Sequence, residues 1–264
     1  MDLATLLDLQ PFGDDTWVGT GPRYPWGGLF GGQIVAQGLR AAAATVEPGL
    51  VPHSLHASFL RSGSHTEKIL FEVERVRDGR SFTNRRVTAT QEVGVILTMT
   101  ASFQVREAGT DVQTVTWPPV APPEDLRPSS WTPAFDRRYA RPSVGGAALA
   151  WMRVATPLAD DPVLDACALA YMSDDLPTEA VVALHPDAGR DGGAAELGQF
   201  FSASLDHAIW FHRPMRADEW HVHDFTSHAY LSSRGLSIGH ILTEAGTHVA
   251  TIAQQVLLRK RRDT

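Results

Sequence analysis

The sequence predicts an α+β protein made of two copies of one unit, a buried helix followed by antiparallel strands. Three observations carry this. Residues 30–46 and 160–175 each read as a helix packed in a core. Each is followed by β-branched or aromatic runs broken by turn residues. The halves also match in their intervals: 19 residues lead from Arg85 to Gln104 and 20 from Arg234 to Gln254, each running Arg, strand, turn, strand, Gln. "FLRSG" at 59–63 is echoed by "FHRPM" at 211–215. A repeat of about 120 residues is too long for a solenoid unit and points to duplication of a whole domain.

The first helix, "FGGQIVAQGLRAAAATV", is Ala-rich and places Ile34, Val35, Gly38, Leu39 and Ala42 near one stripe; "EPG" at 47–49 stops it. Strand runs follow at 53–61, 68–91 and 94–105, broken at "RSGS", "RDGR" and "QEVG". Residues 108–145 carry "WPPVAPPEDLRPSSWTP" and no clear period, so a Pro-rich linker is expected over 111–150, between domains at 1–110 and 151–264. In the second half, Asp160 or Asp161 can cap the helix and Pro162 suits its first turn. A Gly-rich loop, "PDAGRDGGAAELG", precedes strand runs at 199–213, 219–232, 235–243 and 247–258.

Composition narrows the function. The net charge is −7, with no overall basic face, which disfavours a nucleic-acid partner. Nearly all the positive charge is Arg; the only lysines are Lys68 and Lys260. Arg suits phosphate or carboxylate ligands. The basic run "RKRR" at 259–262 reads as a solvated tail. Cys167 is the single cysteine, so no intramolecular disulfide can form. The N-terminal stretch does not read as a signal peptide, and no apolar run approaches the roughly 20 residues that cross a bilayer. A soluble cytoplasmic protein is expected.

Eight stretches occur in an order that resembles the acyl-CoA thioesterase II family. They are "FGGQIVAQGL", "HSLHASFLR", "VRDGRSFTNRRVTATQ", "TASFQ", "YMSD", "SLDHAIWFHRPMRADEW", "RGLSIG" and "VATIAQQ". The resemblance implies a double hotdog fold, in which each domain is a long helix wrapped by a curved antiparallel sheet. It implies hydrolysis of acyl-CoA to free acid and CoA, by a water that an Asp, a Thr or Ser, and a Gln activate. No covalent acyl-serine, metal or cofactor is implied. By motif these roles fall on Asp174 of "YMSD", on Ser204, two residues before "DHAIWFH", and on Gln254. Adjacent Gln255 leaves a one-residue ambiguity, which in a strand exchanges the two faces. A homodimer or homotetramer is expected, and no membrane or nucleic-acid partner.

The chemistry agrees. Thioester hydrolysis needs an activated water and a stabilised oxyanion. An Asp at a helix C-terminus and partly buried is a stronger base than a solvated one. Ser and Gln orient a water without titrating. Oxyanion donors would be backbone N–H groups that the sequence does not locate. Read bare, Asp174 is a turn residue and Ser204 a strand hydroxyl. Ser204, Asp206 and His207 do not form a local triad, because strand alternation puts Ser204 and Asp206 on one face and His207 on the other. The whole of "SLDHAIWFHR" is expected as the central strand of the second hotdog.

Arg80, Ser81, Arg85 and Arg86, in and beside "RDGRSF", are candidates for the CoA phosphates, against a plain hairpin with solvated arginines. His53 is a candidate accessory residue. His221 and His223 share a strand face near His228, but no third metal ligand stands at a diagnostic spacing. "GGQ" at 31–33 lacks the Lys-Ser/Thr ending of a phosphate loop. Two departures from the family stand out: Gln255 and Val256, where many relatives carry an acidic residue and a glycine, and the His-rich "HVHDFTSHAY". Two other functions are weighed: a hotdog hydratase or dehydratase, whose spaced Asp and His helix motif is missing, and a binding module that has lost turnover.

Overall fold

The computed structural model describes residues 1–188 and 197–261. Helix α1 (Leu3–Leu7) and strands β1 (Gln10–Gly13) and β2 (Thr16–Gly19) lead into the first unit. That unit is helix α2 (Gly31–Ala43) followed by β3 (Leu50–Phe59), β4 (Ile69–Asp78), β5 (Phe82–Gln91) and β6 (Gly94–Val105). The second unit begins with β7 (Phe135–Val144) and β8 (Ala147–Val154). Helices α3 (Pro162–Met172) and α4 (Pro177–Leu184) come next. Strands β9 (Phe200–Ser204), β10 (Asp206–Phe211), β11 (His221–Leu231), β12 (Arg234–Thr243) and β13 (His248–Lys260) complete it.

All the strands join one antiparallel sheet in the order β1-β2-β4-β5-β6-β3-β10-β13-β12-β11-β8-β7, with β9 beside β13. The order around the seam is mirrored: β4-β5-β6-β3 faces β10-β13-β12-β11. The seam is the β3–β10 pair, from Ser58 opposite Asp206 to Ser54 opposite Trp210. Inward-facing side chains of both halves and the helices α2 and α3 form one hydrophobic core. α2 is an interior helix because its Ile34, Val35, Ala36 and Leu39 are all buried. Its polar Gln33 and Gln37 are satisfied: Tyr24 donates to Gln33, and Gln37 donates to the Leu6 and Thr20 carbonyls.

Three expectations need correction. The segment 111–150 is not only a linker, since it holds β7 and the start of β8. Strand β7 lies at the sheet edge, where Pro142 costs no ladder bond, and its register slips between Arg141 and Val144. Helix α4 was not anticipated; Pro177 opens it and Glu179 stands in its first turn. "SLDHAIWFHR" is not one strand, nor the centre of the second sheet. It breaks at Leu205, and β10 forms the seam between the two halves. The Gly-rich loop lies mostly outside the described residues, as does the end of the "RKRR" run. Among the described residues no helix is long and apolar enough to cross a membrane.

Candidate active site

Helix α3 is capped at its start by Asp161, which accepts from the Val163 N–H, with Pro162 in the first turn. It ends at Ser173, so Asp174 leaves the helix inside the core, 5 % exposed. There it meets the start of α2. The N-cap of α2 is Phe30, which has no side-chain capping bond. The Gly32 N–H donates instead to Asp174 Oδ2 at 2.8 Å, so a carboxylate from another helix caps α2. Glycine is what lets the helices come this close. A Cβ on Gly31 would stand 2.6 Å from Asp174 Oδ2, and one on Gly32 would stand 2.3 Å from the Tyr171 carbonyl oxygen.

Ser204 and Gln254 complete the constellation. Ser204 Oγ lies 3.1 Å from Asp174 Oδ1, and Gln254 Nε2 lies 2.9 Å from Ser204 Oγ. Gln254 is fully buried, whereas Gln255 is on the opposite, half-buried face of β13. Of the two, Gln254 is the one whose side chain reaches Ser204. His207, which the sequence places on the strand face opposite Ser204 as a structural or supporting group, stands behind Gln254. Its Nδ1 contacts Gln254 Oε1, and its Nε2 lies 2.8 Å from Ser173 Oγ.

Donor and acceptor rules give this chain one direction. The Asp174 carboxylate only accepts, so Ser204 donates to it. Ser204 then accepts from the Gln254 amide, whose carbonyl end accepts the His207 Nδ1–H. His207 Nε2 is left to accept from Ser173, whose single hydroxyl proton the Ala170 carbonyl at 3.1 Å also faces. Burial pushes His207 down to about 4, so the neutral ring that this requires is the form present near neutrality.

The break at Leu205 explains why strand alternation misplaced these residues. The Leu205 N–H bonds to the Gln255 carbonyl, and β10 then starts afresh at Asp206. Ser204 and His207, three apart, therefore both face the interior. Asp206 is exposed and accepts from the Gln255 N–H.

Burial pushes the Asp174 carboxyl up to about 6, and the adjacent Asp175 charge adds to this. The bonds from Gln254, Ser204 and Gly32 oppose it. The dipole argument from the sequence was therefore incomplete. Asp174 sits at the negative end of α3 but also at the positive end of α2.

The other candidates lie elsewhere. Arg85 is 1 % exposed and its donors are occupied. They reach Thr45 Oγ1 and O just past the end of α2, the Arg77 and Asn84 carbonyls, and Asp78 Oδ1. It ties the β4–β5 hairpin to that helix end and has no face free for a phosphate. Arg86 is exposed and ion-paired with Glu74 at 2.7 Å. Arg80 and Ser81 form the hairpin tip, near the C-terminal end of α2. The 13-residue helix separates them from Asp174 by about 20 Å.

His53 stacks edge-on against Phe82 and lines a cavity of about 270 Å³ with Gln104, Pro162 and Leu169. His53 is not among the hydrogen-bond partners of Asp174, Ser204 or Gln254. His221 and His223 are buried with unpartnered ring nitrogens, while His228 faces outward. Among the described residues no group of three or more His, Cys, Asp or Glu is arranged to hold a metal.

Comparison with known proteins identifies the family. Residues 20–104 match the acyl-CoA thioesterase N-terminal domain family, and residues 107–258 match the C-terminal domain family. The chain is 34 % identical to acyl-CoA thioesterase 2 of Haemophilus influenzae, over 98 % of this chain and 97 % of the relative. It is 30 % identical to human acyl-coenzyme A thioesterase 8, over 97 % and 88 %. The crystal structure of an acyl-CoA thioesterase II from Mycobacterium marinum superposes with a TM-score of 0.85 at 38 % identity, covering 100 % of this chain and 99 % of that one. A hotdog protein from Alicyclobacillus acidocaldarius, 20 % identical, shares the fold with a TM-score of 0.80 over 98 % of both chains. The chain belongs to the acyl-CoA thioesterase II family and has its double hotdog fold.

Proposed function

We propose that the chain is an acyl-CoA thioesterase that hydrolyses its substrate with a water held by Asp174, Ser204 and Gln254. The observation that carries this is the convergence of the three side chains, from three separate elements, on one buried carboxylate. Water donates a hydrogen bond to Asp174 and adds to the thioester carbonyl as Asp174 takes its proton. The oxyanion forms against the Gly31 N–H, which has no intrahelical acceptor; the Gly32 N–H is already held by Asp174. The C–S bond breaks, and Asp174 returns its proton to the departing CoA thiolate. Ser204 keeps one lone pair with which to orient the water, and the Gln254 amide hydrogen that faces Asp174 is the one the water takes over. Neither titrates, so Asp174 alone carries the proton.

Arg80 and Ser81 are retained as candidates for the CoA phosphates, at the far end of a long substrate. Arg85 is not, because its charge is consumed inside the fold. Self-association into a dimer or tetramer is part of this reading; light scattering that finds only monomer rejects it. A water-activating site also separates this reading from a binding module, which would bind acyl-CoA without releasing thiol.

The test is a thiol-release assay over a panel of acyl-CoAs at several pH values. Ser204→Ala and Gln254→Ala are expected to lower kcat by about 10–10³-fold with little change in KM. The acid limb of kcat/KM is expected near pH 6, with activity lost as pH falls, because protonated Asp174 cannot act as the base. Full turnover in both variants would remove these side chains from the mechanism.

A further inference from the structure

Next to the site lies a buried ionic cluster that the reaction scheme does not use. Asp175 follows Asp174 directly. Its Oδ2 accepts from Arg137 Nη1 at 2.6 Å and its Oδ1 from Trp131 Nε1 at 2.5 Å. The Asp175 and Arg137 side chains are 4 % and 8 % exposed. Arg137 also donates to the Ser129 carbonyl at 2.8 Å and approaches Glu179 Oε1 at 3.5 Å. Glu179 in turn accepts from Tyr139 and Ser143. Trp131 packs edge-on against Phe30, the N-cap of α2, with ring centroids 5.2 Å apart. Arg137, Tyr139 and Ser143 come from β7, in the segment that the sequence presents as a linker.

Burying two carboxylates with one cation is expensive, and a packed apolar core would cost less. The cluster therefore needs a reason beyond stability, and its position supplies one. The turn 173–175 is pinned on both sides of the base: Ser173 to His207, and Asp175 to Arg137 and Trp131. We propose that Asp175, clamped by Arg137 and Trp131, is a positioning residue for Asp174: it fixes where that carboxylate sits and supplies the negative field in which it titrates.

The groups around Asp174 make Asp175 the one to examine. The Gly32 N–H, Ser204 and Gln254 are neutral donors. His207 is neutral and one residue removed. Tyr171 holds its proton, pushed up to about 12 by burial. Arg137 and Glu179 reach Asp174 only through Asp175. Burial and the Asp175 charge hold the Glu179 carboxyl above its ordinary range, while Arg137 opposes them. Replacing Asp175 with Asn removes the nearest negative charge, keeps an acceptor for Trp131, and leaves the Arg137 charge in place. Both electrostatic changes favour ionised Asp174.

This inference rests on the reading of Asp174 as the base, and the experiment separates the two. The pH profile of kcat/KM and the ¹³C titration of the Asp174 carboxyl are measured for wild type, Asp175→Asn and Trp131→Phe. In Asp175→Asn the acid limb and the resonance midpoint are expected to move together to lower pH, by less than about one unit, because burial outweighs the Asp175 charge at Asp174. In Trp131→Phe, which removes one neutral bond, the limb is expected to stay, while kcat falls several-fold at unchanged KM. An unmoved midpoint in folded Asp175→Asn overturns the proposal; so does an unchanged kcat in Trp131→Phe. Wild-type protein that releases no CoA while the midpoint still moves in Asp175→Asn would remove the hydrolase reading and leave the positioning of Asp174 intact.

Discussion

The buried Asp174 carboxyl makes a prediction about stability that is separate from turnover. Asp174 titrates near 6 in the fold against an ordinary value of 3.8. The folded protein therefore binds this proton more tightly than the unfolded chain, and stability falls as pH rises from about 4 to about 6. Above pH 6 the ionised carboxylate costs about 3 kcal/mol, from roughly 2.2 units at 1.36 kcal/mol each. Asp174→Asn keeps the shape and the acceptor for the Gly32 N–H but carries no charge. It is expected to unfold at higher temperature than wild type at pH 8, by a few degrees for a gain of 1–3 kcal/mol. At pH 5 the gain should shrink to about half, because the wild-type carboxyl is mostly protonated there. Turnover should fall by about 10²–10⁴-fold at both pH values. Scanning calorimetry at the two pH values measures this. Equal melting of variant and wild type at pH 8, or a gain that does not shrink at pH 5, would refute the buried-charge argument.

Gly32→Ala should lower kcat by about 10²–10³-fold, because its Cβ would press on the Tyr171 backbone carbonyl and pull the α2 N-terminus off Asp174. Steady-state kinetics on folded variant checks it, and near-normal kcat would show that the approach of the two helices is not needed. Arg85→Met should destabilise the chain by about 1–3 kcal/mol in urea titration while leaving the KM for acyl-CoA within about twofold. A tenfold rise in KM at unchanged stability would instead make Arg85 a phosphate ligand.

The sequence by itself determined the helix-then-strands unit and its duplication, because periodicity and turn residues are local properties. It also supplied the residue types at 174, 204 and 254, through motifs that read along the chain. Tertiary structure decided what those residues face. A one-residue break at Leu205 turned Ser204 and His207 to the same side, which a period of two cannot reveal. Burial separated Gln254 from Gln255. Arg85 reads as a surface cation but is spent on a helix end reached from 40 residues away. Strand β7 hid in a Pro-rich segment because its partner β8 and its edge position, rather than its own pattern, make it a strand. Burial and ion pairing depend on which elements meet. That is why the reaction class was legible in the sequence, while the field around Asp174 was not.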